Sequence, residues 1–380
     1  MCIEMKSEVQ HLSFQELCVT VFVFASLLML SIWLFNLPTP LSAQISDAEF
    51  RRMVLDFSEV GGSFRFDNVV SNELPFQNVI PKIKQRVQPG GVYLGVGPEQ
   101  NFTYLAAFEP RIAFIVDIRR QNVLEHLLYK AVFEMASDRA DFVSILFCRK
   151  RPAGLSAETP VASLFRAFNP VAPDRRLFEH NLKRIADVLA KVHQFPLTAD
   201  DVATISRIYE AFFTGGPALD YGVDTRIGTG RPTYEALMNA TDQLGSAWSY
   251  LASESRYRRV RRMEQRNLVV PVTGDFAGRT ALRRVARYLN DHRMIVSVFY
   301  VSNVEQYLFR GDGWSRFYEN VAALPLDSSS TFVRSVTSDE FNGIAMMGFG
   351  AFFGSMTQMI DAFHKRNISN YHDIVKMSSR

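Results

Sequence analysis

The chain has 380 residues, 47% of them apolar and 21% charged, and carries a net charge of +3 at neutral pH. This is ordinary globular composition, and the charge is too mild to imply a nucleic-acid partner. The three cysteines are Cys2, Cys18 and Cys148, so the body holds a single thiol and no internal disulfide. No Cys/His spacing suggests zinc, and no glycine loop ends in Gly-Lys-Ser/Thr. Behind a leader over 1–16, the stretch Leu17–Leu37 runs 21 residues without a charge, about the length that spans a bilayer core. It reads as a transmembrane anchor. The alternative is a cleaved signal ending near Ala43, with export of the rest, although Leu41 is not the small residue such a site prefers. Lys6 on one side and Arg51 and Arg52 on the other leave orientation open.

Ser46–Glu59 is an amphipathic helix with Phe50, Met53, Val54 and Phe57 on one face. Phe66–Pro81 is polar, aromatic and broken by proline. It reads as a structured loop ahead of the first strand, where Ser71, Asn72 and Glu73 are candidates to touch a ligand or simply to cap turns. The stretch Gly90–Arg119 then organises the chain. Val92–Val96 is an apolar strand opening on Gly95-Val96-Gly97. Asn101–Phe108 continues as a helix, and Ile112–Val116 is a second strand that ends in Asp117. Glycines let a turn fold tightly beneath a ligand. An acid 20 residues beyond Gly97 is where a βαβ nucleotide site places the carboxylate that accepts ribose hydroxyls.

This stretch resembles motifs I and II of the class I S-adenosylmethionine-dependent methyltransferases, which are Rossmann-like. Gly95, Gly97 and Asp117 match the motif positions. Tyr93 stands where the family has an acid, and Glu99 where it has a third glycine. The nicotinamide pattern fits no better, since its last glycine is Gln100. The resemblance covers Gly90–Phe147 and the later strands by their order. It implies a Rossmann-like fold, S-adenosylmethionine as cofactor held by Gly95, Gly97, Glu99 and Asp117, and a methyl acceptor that the sequence does not name.

Beyond Asp117 a helix spans Gln121–Ala136. Asp141–Cys148 is an apolar run compatible with strand or helix. Strand signals then thin out. Leu182, Ile185, Leu189 and Val192 mark one helix face, and Val202, Ile205, Tyr209 and Phe212 the next, with Thr198 and Asp201 as its cap. Tyr221–Pro232 is glycine-rich, a loop or hairpin. Arg256–Arg266 holds six arginines in eleven residues. It is either a grip for phosphate, anionic lipid or an acidic partner, or the solvated face of a helix packed through Tyr257, Val260 and Met263. Strand-and-helix alternation resumes with Asn267–Gly278, a helix over Arg279–Asn290, and a strand over Met294–Val301. Gly343–Met359 reads as a buried glycine-rich segment, with a second membrane segment as the other option. Tyr371–Met377 reads as a closing edge strand. Asn101, Asn239 and Asn367 each begin Asn-x-Ser/Thr, which matters only in a glycosylating compartment.

The expected fold is α/β: a Rossmann-like, open, mostly parallel sheet, with halves over 44–150 and 256–380 and a mostly helical insertion over 151–255. Ligands of such sheets bind outside the carboxyl ends of the strands. The polar residues there are Gly95, Gly97 and Glu99; Asp117; Thr273 and Asp275; and Ser302, Asn303 and Glu305. Asp275 and Glu305 are the candidate general bases, and Ser302, Asn303 and Asn72 the candidate substrate contacts. No histidine falls at a strand end, which disfavours Ser-His acyl transfer. The leading expectation is a membrane-anchored methyltransferase-like protein. The alternative is a non-catalytic Rossmann-like binding module at the membrane or outside the cytoplasm, where S-adenosylmethionine is absent. A nicotinamide-dependent oxidoreductase is a weaker third.

Overall fold

The computed structural model of the protein describes residues 44–64, 66–222, 230–337 and 349–379. The stretch 17–37, and with it the anchor and signal readings, lies outside the described residues. Among those described, no helix is long and apolar enough to cross a membrane.

Six strands form one sheet: β1 (Val92–Gly95), β2 (Ile112–Asp117), β3 (Val269–Thr273), β4 (Val296–Ser302), β5 (Thr331–Thr337) and β6 (Phe349–Ser355). Their order is β3-β2-β1-β4-β5-β6. All neighbours are parallel except β5 and β6, which are antiparallel. Strands β1, β2 and β3 are buried along their whole length, as sheets covered by helices on both faces require. Pro271 interrupts β3 without penalty because β3 is an edge strand, where a missing N–H costs no ladder bond. This open, mostly parallel sheet with interspersed helices is a Rossmann-like core. Its strand order reverses between β1 and β4, which makes that boundary the switch point where such sheets bind ligands.

Helix α1 (Asp47–Phe57) buries Phe50, Met53 and Val54, and packs beside β3. α2 (Gln100–Phe108) and α3 (Arg120–Met135) follow β1 and β2. The run over 141–148 is helical, α4 (Arg139–Phe147). Asp138 caps it by accepting the Asp141 N–H, and Cys148 ends it in the left-handed region at φ 52°. Between 151 and 255 the described residues form α5 (Val161–Phe168), α6 (Arg175–Asp187), α7 (Ala199–Gly215) and a short helix at Tyr234–Asn239. α7 opens on a capping box between Thr198 and Asp201 and packs on α3 and α4.

α8 (Glu254–Gln265) carries the arginine run and turns Tyr257, Val260 and Met263 inward. Three of its arginines are engaged within the fold. Arg259 pairs with Glu109 at 2.8 Å, Arg258 with Glu254 at 3.1 Å, and Arg261 donates to the Phe133 carbonyl at 3.1 Å. α9 (Ala281–Asp291), α10 (Gly313–Ala322) and α11 (Met356–His364) complete the second half.

Two sequence expectations need correction. Residues 371–376 form a helix, because Asn370 and Asp373 make a capping box that starts one. The segment before β1 is not all loop: a 3-10 turn over Leu74–Val79 runs into a helix at Ile80–Lys84. The buried reading of the glycine-rich stretch agrees with its described part, β6 and the start of α11, which buries Phe352, Phe353, Met356 and Met359.

Candidate functional site

A cavity of about 1400 Å³ opens at the carboxyl ends of β1, β2, β3 and β4. The segment from Ser58 to Val79 crosses those ends and closes one side of it. Its fastenings follow the strand order. At β3, Ser58 Oγ accepts the Thr273 N–H at 2.9 Å, and Glu59 Oε1 accepts the Asp275 N–H at 2.9 Å. At β2, the Gly62 N–H donates to the Ile118 carbonyl at 2.8 Å. Arg119 Nη1 donates to Asn68 Oδ1 at 2.7 Å and to the carbonyls of Phe66 and Asn68 at 3.3 Å. At β1, the Ser71 N–H donates to the Glu99 carboxylate at 3.2 Å. At β4, Tyr300 donates to Glu73 Oε2 at 2.6 Å, and Ser302 Oγ donates to Glu73 Oε1. The strap thus reaches all four strand ends, and Phe64, Phe66, Asn68, Ser71, Asn72 and Glu73 line the cavity from it.

The glycine turn after β1 is built by its own side chains. Asn101 Nδ2 donates to the carbonyls of Val96, Gly97 and Pro98 at 2.8–3.0 Å, and its Oδ1 accepts from Tyr93 at 2.8 Å. Tyr93 therefore occupies the acid's place by supporting Asn101 from beneath. Gly95 is required by this packing, since a Cβ there would stand 2.1 Å from Asn101 Oδ1 and 2.7 Å from the Tyr93 ring. It does not line the cavity. Gly97 does, and its φ of 78° favours glycine. His126 Nε2 donates to its carbonyl at 3.0 Å, and burial pushes that imidazole down to about 4, so the ring is neutral.

Asp117 stands in the cavity wall but is engaged. Its Oδ1 accepts from the backbone N–H and Nε of Arg119 at 2.8 and 3.1 Å, and its Oδ2 from Nη2 at 3.0 Å. Burial opposes the Arg119 charge, yet the Asp117 carboxylate holds its pKa above the usual value. A carboxylate offers about four lone-pair sites, so Oδ2 keeps room for one further donor.

The other sequence candidates divide. Asp275, Ser302, Asn303 and Asn72 all line the cavity. Asp275 Oδ1 accepts the Ala277 N–H at 2.9 Å. Ser302 is held at φ 51°, a conformation that costs a non-glycine residue energy and clusters at functional sites. Glu99 is fully buried behind the turn and reaches the strap, not the cavity. Burial pushes its carboxyl up to about 8. Glu305 is also outside the cavity lining. It is 1% exposed, gripped by the Arg334 guanidinium, with Nη2 at 3.0 Å, and by the Tyr318 hydroxyl at 2.6 Å. Gln100, where a nicotinamide site wants glycine, donates to Tyr300 at 3.0 Å.

Glu73 holds the position expected of a base. It lies in the cavity wall beside Ser302, and burial raises its carboxyl above the usual range while the Ser302 and Tyr300 hydroxyls oppose that rise. Sequence reasoning missed Arg119, whose signal was Asp-x-Arg at the end of β2. It also missed Tyr221 and Arg231 in the wall, which bracket the glycine-rich stretch over 221–232. Among the described residues, no cluster of three or more His, Cys, Asp or Glu is arranged to hold a metal ion.

A family described as domain of unknown function (DUF7790) matches residues 68–155 and 227–377. These two blocks cover more than half of the chain, which therefore belongs to this family. They contain the glycine turn, Asp117, all six strands and most of the cavity wall. No curated protein sequence is significantly similar to the chain.

Proposed function

We propose, taking that family membership as the premise, that the chain is a methyltransferase-like protein which takes S-adenosylmethionine into this cavity and is anchored to a membrane through Leu17–Leu37. One observation carries the reading: Gly97 and Asp117 stand together in the wall of a 1400 Å³ cavity at the switch point of a Rossmann-like sheet. The residues present fit such a cofactor. Gly97 leaves the turn open to close approach, and Asp117 Oδ2 keeps an acceptor site for one sugar hydroxyl. The cofactor supplies an electrophilic methyl group on a sulfonium.

The chain's own residues supply the rest. Ser302, Asn303, Asn72 and Asp275 orient the acceptor. Glu73 takes the acceptor's proton as the nucleophile attacks; its hydroxyl donors Tyr300 and Ser302 hold the carboxylate in place. Glu305, satisfied by Arg334, serves the fold and not the chemistry.

A second reading has its own support. Both Asp117 oxygens already accept from Arg119, and the Tyr93–Asn101 pair fills the space of the missing acid. Those features suit a non-catalytic Rossmann-like binding module. Calorimetric titration of the full chain in detergent separates the two, using S-adenosylmethionine, S-adenosylhomocysteine and NAD. Micromolar binding of the first two, lost in Asp117→Ala, supports the cofactor site. No binding by folded protein supports the module. A reporter fused to the C-terminus tells which side of the membrane the domain faces, and an exported domain would favour the module.

A further inference from the structure

One cation in the cavity wall has no carboxylate partner among the described residues. The Arg231 guanidinium lies over the Tyr221 ring, 3.9 Å from its centroid, and also over Phe66 at 5.6 Å. Among the described residues it makes no ion pair and no side-chain hydrogen bond. Arg119, the other arginine in the wall, is neutralised by Asp117. A guanidinium held over a ring face by cation–π attraction leaves its N–H donors for another group.

The rings beside it form a continuous collar. Tyr221 meets Phe66 at 5.7 Å, Phe66 meets Phe64 at 5.8 Å, and Phe64 meets Tyr307 at 5.2 Å, all edge to face. All four residues line the cavity. Edge-to-face arrays present ring faces and edges to a flat guest. The cavity, at about 1400 Å³, also exceeds the roughly 300–1,000 Å³ usual for a single ligand.

We propose that this part of the cavity is a subsite for a planar aromatic carboxylate, its ring held by the collar and its carboxylate on Arg231. The proposal rests on the methyltransferase reading only in naming this guest the acceptor. The collar and the unpaired arginine select a flat anion whatever follows. Asp117 cancels Arg119, and hydroxyls hold Glu73, so among the described residues of the wall Arg231 is the cation left to meet an anion.

The test is calorimetric titration of the full chain in detergent with three probes: 4-hydroxycinnamate, its methyl ester and hexanoate. The acid is expected to bind at least tenfold more tightly than either control. Arg231→Gln is expected to erase the acid's advantage over the ester while the variant stays folded, since the loss of a cation–π contact costs little stability. Equal binding of acid and ester overturns the role of charge, and equal binding of hexanoate overturns the role of the planar body. No binding of the acid at millimolar concentration overturns the subsite. The probe comparison on unaltered protein stands even if the variant folds poorly. A parallel titration with S-adenosylhomocysteine keeps the two readings apart. Acid binding without it retains the subsite and removes methyl transfer; the reverse removes the subsite alone.

Discussion

The two sides of the switch point handle buried charge in opposite ways. On the β1–β2 side, Asp117 and Arg119 pair at 3.0 Å in the cavity wall, and the arginine spends its remaining donors on the strap. On the β4–β5 side, Glu305 and Arg334 pair in the core, at 1% and 0% side-chain exposure, and Tyr318 completes the carboxylate. The first pair joins a cavity wall to its cover. The second joins a short helix, Val304–Leu308, to β5. Each carboxylate accepts three donors, so what separates the two acids is place: Asp117 lines the cavity and Glu305 does not.

Substitutions can sharpen that contrast. Glu73→Gln keeps the shape of the wall and removes the proton acceptor. Turnover is expected to fall roughly 10²–10⁴-fold with S-adenosylhomocysteine affinity unchanged; full turnover would remove Glu73 from the chemistry. Glu305→Ala strands a buried guanidinium. It is expected to cost about 3–5 kcal/mol in denaturant unfolding, without the turnover signature of Glu73→Gln in whatever protein remains folded. Gly95→Ala forces a methyl against Asn101 and Tyr93 and should cost about 1–3 kcal/mol by overpacking, read by the same unfolding curves. A neutral outcome would mean the turn relaxes freely.

A further test is a pH dependence. Glu99 has its pKa raised from 4.5 to about 8, so between those values the folded protein keeps a proton that the unfolded chain releases. Its contribution is complete below pH 4.5 and is lost as pH rises towards about 8. Glu99→Gln should therefore melt with the parent near pH 4.5 and above it beyond pH 8. Parallel melting curves across this range would contradict the shift.

Much of the first half was legible because its signals are local. Strand, glycine turn, helix and Asp117 follow one another within Gly90–Arg119, and apolar runs mark β3 and β4. The Thr198–Asp201 cap was equally plain, and the Asn370–Asp373 cap carried the same signal against the strand reading. What pattern cannot convey is which partner satisfies a polar side chain. Glu305 looked available because Arg334 and Tyr318 lie 29 and 13 residues away. Glu73 looked like a loop residue because Tyr300, its donor, is 227 residues away. Gly95 fitted a ligand motif, yet its need comes from Tyr93 and Asn101 in the same turn.

The strap has a bearing on how the molecule is made. Its residues leave the ribosome before β1, yet its anchors on β3 and β4 lie 215 to 229 residues later. Closing so distant a pair is an entropic cost met only once the intervening chain has compacted. A nascent chain that stops short of Ser302 can hold β1, β2 and β3 and their fastenings to the cover, but it lacks the Glu73 anchor and the fourth wall. The cavity therefore comes into being in one late step, when the oldest part of the domain meets one of its youngest strands, and ligand binding reports that the whole sheet through β4 has been assembled.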